Sequence, residues 1–275
     1  MAQKELGRIH PTAIISSDAV LADDVLVGAF AIIEGEVIIG EGTIIHPRAH
    51  LIGPMKIGCR NEVFPNAYLG GKPQHLLFKN EPTRVDIGDG NIFRENVTVH
   101  RGTTARWTTR IGNNNLFMAG SHIAHDCIVG DRCLMANNAL IAGHCELANN
   151  AYISANSAIH QFSRMGRLAF LSGVSACTKD IPPFIMQQNI NQVVGVNIIG
   201  MRRAGLKTEE INAIRKLYHI VYLKGLNLPN SLARVEAELG HLEVVQEYLN
   251  FVRASQRGIC GVQGPSRYAD LDMAA

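Results

Sequence analysis

The sequence predicts an all-β solenoid with a helical C-terminal domain. Apolar residues recur at every sixth position from Ile9 to Leu171. The recurrence stops near a proline pair in Asp180–Phe184, and the apolar spacing downstream becomes helical. A helix repeats near 3.6 and a lone strand at 2. Period six therefore needs a short strand plus a turn wound around a coil, the hexapeptide pattern of a parallel β-helix.

The series opens Ile9, Ile15, Leu21, Val27, Ile33 and runs to Leu69. It resumes in the same phase with Ile87, Phe93 and Val99, and again from Ile111 to Leu171. The residue four places later is usually small, as at Ala49, Ala67, Ser121, Cys127 and Ala139. Three hexads close one triangular coil of eighteen residues, stacked ~4.8 Å above the last. The bulky side chain fills the interior and the small one sits where the prism narrows. Coils share their core only with neighbours, so the solenoid is expected over 1–184. Two segments break the phase, Gly70 to Arg84 and Thr103 to Thr108. Insertions in a solenoid leave as loops from a corner, and such loops carry function on a rigid scaffold.

A helical domain is expected over 185–257. One helix runs from near Thr208 towards Leu223, with Glu209 and Glu210 suiting its first turn. A second starts after Asn230 or Ser231 and stops at Gly240. A third spans roughly 242–254 with Val244, Val245, Tyr248, Leu249 and Val252 on one face. Residues 258–275 read as a loose tail.

Composition excludes several classes. A net charge of +2 and 6% aromatics leave neither a basic surface nor a stacking platform, so no nucleic-acid partner is expected. No apolar run reaches the ~18–20 residues of a transmembrane segment. The N-terminus lacks the apolar stretch of a signal peptide and the C-terminus has no prenylation box, so the chain reads as cytoplasmic. Six cysteines without a C-x-x-C pair then read as small, reduced core fillers.

The chemistry concentrates in Asn114 to Glu146, which holds His122, His125 and His144. Coil arithmetic stacks His144 on Asp126 and Asn156 on Asn138. His122 and His125 flank the interior Ile123, and His160 follows the interior Ile159. Solvated surface imidazoles, a zinc site of the β-helix carbonic anhydrase kind and an acid–base catalyst all fit histidines. Four within a few coils favour function, and H-x-x-H lacks the longer spacing expected for that zinc group. As a base, a histidine could deprotonate an attacking hydroxyl, with Asp126 orienting its ring and a backbone N–H near Gly143 holding the oxyanion.

HIAHDCIVGDRC, ANNALIAGH, HQF, DIPPF, GVNIIG, EPTRVDIGDG and RENVTVHRGT resemble the UDP-N-acetylglucosamine acyltransferases, the enzymes that open lipid A synthesis. The likeness runs from about Ile9 through the C-terminal helices. It implies a left-handed β-helix, a homotrimer with sites in clefts between prisms, and no metal or cofactor. It implies transfer of a 3-hydroxyacyl chain from acyl carrier protein to the glucosamine 3-hydroxyl of a UDP-sugar. By the same match His125 is the general base, Asp126 its carboxylate and Gly143 the oxyanion donor. Gln74, His75, His122, His144, His160 and Gln161 would contact substrate or shape the cleft. Asn197 and Arg203 would bind the nucleotide, and Gly173 would leave room for a longer acyl chain. The basic residues Arg202, Arg203, Lys207, Arg215, Lys216 and Lys224 would steer an acidic carrier protein.

The departures lie on the acceptor side. The family usually reads Q-D-L-K where this chain has Gln74-His75-Leu76-Leu77. Ile199 replaces a glutamate and Ala204 an arginine. The acyl-transfer machinery is thus expected intact and the acceptor open, with an amino-bearing UDP-sugar as the alternative. A zinc-dependent hydratase and a silent carrier-protein scaffold are the remaining alternatives.

Overall fold

The structure, a computed structural model, describes residues 8–262. The extreme N-terminus and the tail from 263, read above for targeting signals and looseness, lie outside the described residues. The hexads form three parallel sheets of nine, eight and ten strands. Most strands are two or three residues long, because a six-residue period leaves no room for more beside its turn. Ile14 pairs with Ile32, and Ile141 with Ile159, one coil apart. The interior positions from Val27 to Leu171 are buried. The two breaks are corner loops, and the faces resume at the strands Arg84–Ile87 and Thr108–Ile111. The phase survives because each loop leaves and re-enters at one corner.

Most turns place one residue in the left-handed region, as at Gly120, Asp126, Arg132, Asn138, His144 and Asn150. Glycine, asparagine and aspartate tolerate that region best, which accounts for their frequency there. The Asn138–Asn156 stack forms, at 3.2 Å. A second amide stack is internal. Asn91 Nδ2 donates to Asn61 Oδ1 at 3.0 Å, and Asn115 Nδ2 to Asn91 Oδ1 at 2.9 Å. These asparagines occupy the small-residue slot and satisfy the buried turn amides of Asn91, Asn115 and Cys133.

The third face continues beyond the proline pair. Ile185–Gln188 adds in parallel and Gln192–Val196 closes it antiparallel. Four helices follow: α1 (Ile198–Arg203), α2 (Thr208–Tyr218), α3 (Leu228–Leu239) and α4 (Glu243–Arg253). A π-turn over His219–Leu223 carries α2 to the expected end. α3 begins earlier than expected, because Asn227 caps Asn230 and Pro229 fits the first turn. The apolar face of α4 is buried as expected. Arg167 clasps Glu247 at 2.7 Å. Arg164 bonds both Asp180 and the Phe251 carbonyl, tying the helices to the prism. Residues 258–261 are not loose. Asp180 N–H donates to Gly258 O, and Cys260 N–H to Asp180 O, each at 2.9 Å. Of the six free cysteines, all but Cys59 are buried. Among the described residues no helix is long and apolar enough to cross a membrane.

Candidate active site

The corner after the first face carries the chemistry. Asp126 occupies its left-handed position, fully buried. The 101–107 loop folds over it. Asp126 Oδ1 accepts from the Thr103 N–H at 2.9 Å and the Arg106 N–H at 3.2 Å. Oδ2 accepts from Thr103 Oγ at 2.6 Å and from His125 Nδ1 at 2.8 Å. Burial alone would raise this carboxyl's pKa. The hydrogen bonds from His125 and Thr103 outweigh it and hold the pKa at about 2. An ionised carboxylate only accepts, so the His125 proton sits on Nδ1. That tautomer turns Nε2 into the ring's free acceptor, with no hydrogen-bond partner among the described residues.

His144, one coil above, brings Nε2 to 3.7 Å from Asp126 Oδ2 and its ring to 5.2 Å from that of His125. Phe162, a coil higher, stacks on His144 at 4.5 Å. His75, on the 72–83 loop, meets the His125 ring edge-on at 5.3 Å. His122 bonds Thr98 Oγ at 2.7 Å and packs on the buried His100 at 4.9 Å. Burial lowers the pKa of His122, with His125 adding to it. Burial also lowers that of His144, against the pull of Asp126. His100 is pushed down to about 4 by burial, then by His122 and His125.

A stability consequence follows from His100. Its folded pKa lies below the unfolded value near 6.5. The unfolded chain therefore binds more protons between these limits, and stability falls as the pH falls. The contribution is complete above pH 6.5 and is lost as pH drops towards 4. The thermal midpoint of the native chain should drop across this window, and that of His100→Gln should drop less. Equal slopes would contradict this account.

Gly143 lies one coil above His125, against its ring. A Cβ built there would meet Cε1 at 2.5 Å and Nε2 at 2.8 Å. Among the described residues nothing accepts from its N–H. Gln161 follows one coil above, where Phe162 N–H bonds the Gly143 carbonyl at 3.0 Å. His160 lies beside it, exposed, 3.4 Å from Arg257. One corner thus gathers His125, Asp126, Gly143, His144, His160 and Gln161, with His122 on the adjoining strand and Gln74 and His75 on the loop over it.

Three candidates lie elsewhere in the same chain. Gly173 is exposed on the corner after the third face, next to Ala155 O. Asn197 caps α1: its Oδ1 accepts from Gly200 N–H at 2.8 Å and its Nδ2 donates to Leu168 O at 2.9 Å. Its amide is therefore committed to the fold. Arg203 is exposed at the end of α1, with no ion pair among the described residues.

The donor atoms of His125, Asp126 and His144 lie within 4.8 Å of one another, a spacing a cation could accept. The hydrogen bonding favours proton transfer instead. Asp126 already accepts four bonds, and a metal would have to displace the Nδ1 proton or Thr103. Sequence reasoning did not single out Thr103, Arg106, Glu146, His100 or Thr109, whose Oγ1 accepts from the Asp126 N–H at 2.9 Å. The one available signal was the break in period that marks the loop.

Comparison with known proteins identifies the family. Residues 180–260 match the model described as UDP N-acetylglucosamine O-acyltransferase, domain 2. Residues 8–53 and 108–143 match bacterial transferase hexapeptide repeats. The acyl-[acyl-carrier-protein]–UDP-N-acetylglucosamine O-acyltransferase of an Anaeromyxobacter species is 43% identical over 253 residues, 91% of this chain and 98% of that one. The namesake from Halorhodospira halophila is 42% identical over 92% of this chain and 99% of its own. Among solved structures, a UDP-N-acetylglucosamine acyltransferase from Bacteroides fragilis is 40% identical, with TM-score 0.88 over 91% of this chain and 99% of its own. The likeness gives the solenoid its left-handed sense. A likeness that runs through prism, corner loops and helices together leaves one assignment: the chain belongs to the acyl-[acyl-carrier-protein]–UDP-N-acetylglucosamine O-acyltransferase family.

Proposed function

We propose that the chain transfers a 3-hydroxyacyl group from acyl carrier protein to the 3-hydroxyl of UDP-N-acetylglucosamine, the first step of lipid A synthesis. The Asp126–His125 pair beside Gly143 is the observation that carries the mechanism. His125 Nε2 takes the hydroxyl proton as that oxygen attacks the thioester carbonyl. The oxyanion that forms accepts from the Gly143 N–H. The C–S bond breaks as the carbonyl re-forms, and His125 returns the proton to the departing thiolate. Asp126 stays ionised throughout and stabilises the transient imidazolium. No metal or cofactor enters the scheme.

His75, His122, His144, His160 and Gln161 would line the sugar and thioester path. Gly173 would flank the acyl chain, and Asn197 and Arg203 the nucleotide. Gly173 lies on another corner of the prism, and Asn197 and Arg203 lie at the two ends of α1. Prisms packed side by side as a homotrimer would bring them into one cleft. The carrier protein is acidic, and Arg215, Lys216 and His219 line an open groove suited to it. These reactants would place the enzyme in the cytoplasm.

One observation favours a second acceptor. His75 and Leu77 stand where the family usually has a carboxylate and a lysine, and His75 lies against the base. With that carboxylate and lysine replaced, an amine at the reacting position, giving an amide, is the second reading. Incubation with 3-hydroxyacyl-carrier protein and both UDP-sugars in one vessel, read by mass spectrometry, tests both readings. An ester of UDP-N-acetylglucosamine as main product is expected. An amide as main product replaces the acceptor, and no acylated UDP-sugar at all overturns the function.

A further inference from the structure

Arg106 joins two coils. Its backbone N–H donates to Asp126 Oδ1 at 3.2 Å, and its Nη2 reaches Glu146 Oε1 at 2.6 Å. Glu146 starts a second-face strand, two residues beyond His144. Between them the pair closes the open side of the 101–107 loop over Asp126. The loop supplies three of the four donors to that carboxylate, and His125 supplies the fourth. The two ends of the loop are held by the coil before it, through Arg101 N–H on Gly71 O at 2.9 Å, Gly102 N–H on Arg84 O at 3.2 Å and Arg84 N–H on Trp107 O at 2.9 Å. Between those ends, the Arg106 side chain ties the loop to the next coil through Glu146.

We infer that Arg106 and Glu146 are positioning residues for the reaction: their ion pair clamps the loop that fixes the Asp126 carboxylate, and so the ring of His125. This rests on His125 as the general base. Neither side chain is assigned contact with substrate. The pair is partly exposed, so its direct worth to stability is small. Its effect falls on geometry, where a shift of about 1 Å in a catalytic group costs up to about 100-fold in rate.

The test compares Glu146→Gln, Glu146→Asp, Arg106→Ala and the double variant Arg106→Ala/Glu146→Gln with the native enzyme and His125→Ala. For Glu146→Gln and Arg106→Ala, kcat should fall about 10- to 100-fold, with both KM values within about twofold. Glu146→Asp should recover part of the loss, and the double variant should be no worse than either single one. A second readout avoids turnover. The downfield proton resonance of His125 Nδ1–H, assigned by its loss in His125→Ala, should broaden or disappear in Glu146→Gln and persist in Glu146→Asp. Native kcat in Glu146→Gln, or a raised KM with unchanged kcat, overturns the inference while His125→Ala remains inactive. Activity in His125→Ala overturns the base assignment itself, so the two failures are separable.

Discussion

Replacing His125 by alanine lowers kcat by about 1,000-fold and leaves the fold in place. Both halves of this expectation come from the hydrogen bonds around Asp126. The imidazole is the only group on the corner with an ionised carboxylate on Nδ1 and an unpartnered Nε2. A positioned base of this kind contributes about 100- to 10,000-fold. Its neighbours cannot substitute. His144 stacks on Phe162 and lies 3.7 Å from the carboxylate, and His122 points Nδ1 at Thr98. The fold survives because Asp126 keeps two bonds from Thr103 and one from Arg106, so no buried charge is stranded. Single-turnover rates with acyl-carrier protein, beside a thermal melt, check both halves. A variant that melts like the native chain yet turns over within tenfold of it moves the base elsewhere.

How much of this corner could be read from sequence depended on the insertions. Where the chain runs uninterrupted, arithmetic by eighteen works. It stacks His144 on Asp126 and Asn156 on Asn138, and both contacts exist. Across an insertion the arithmetic fails. Thr103 meets Asp126 at a separation of 23 residues, set by loop length rather than coil length. Asn61, Asn91 and Asn115 form one stack at separations of 30 and 24, which conceals a ladder that eighteens would have revealed. Arg106 and Glu146 are further removed still, since each reads alone as a solvated surface charge. Short elements were missed for a different reason. α1 has six residues, too few for a periodic signal, and Asn197 is visible as its cap only once Leu168 is in place. Residues 258–261 have turn-like composition, and their partners Asp180, Asn191 and Val193 order them.

Gly143→Ala separates the geometry of the base from its chemistry, since it removes no functional group. Gly143 does not occupy the left-handed region, so alanine meets no backbone penalty there. The obstacle is the ring below: the new methyl would lie 2.5 Å from Cε1 and 2.8 Å from Nε2 of His125. One of the two must move. The backbone is held on both sides, by His144 N–H on the His125 carbonyl and by Phe162 N–H on the Gly143 carbonyl, each at 3.0 Å. The ring therefore moves, which breaks the 2.8 Å bond to Asp126 or turns Nε2 away from the cleft. The same methyl crowds the N–H assigned to the oxyanion. Losing an oxyanion donor costs about 100- to 1,000-fold, and the expected fall in kcat lies in that range. Gly261→Ala is the control, because it lies outside the site and a Cβ there meets nothing within 4 Å. Its turnover should stay near native while that of Gly143→Ala collapses, with both thermal midpoints close to the native value. If the two variants turn over alike, the His125 ring has freedom that the contacts at this corner do not allow, and the role given to Gly143 falls with it.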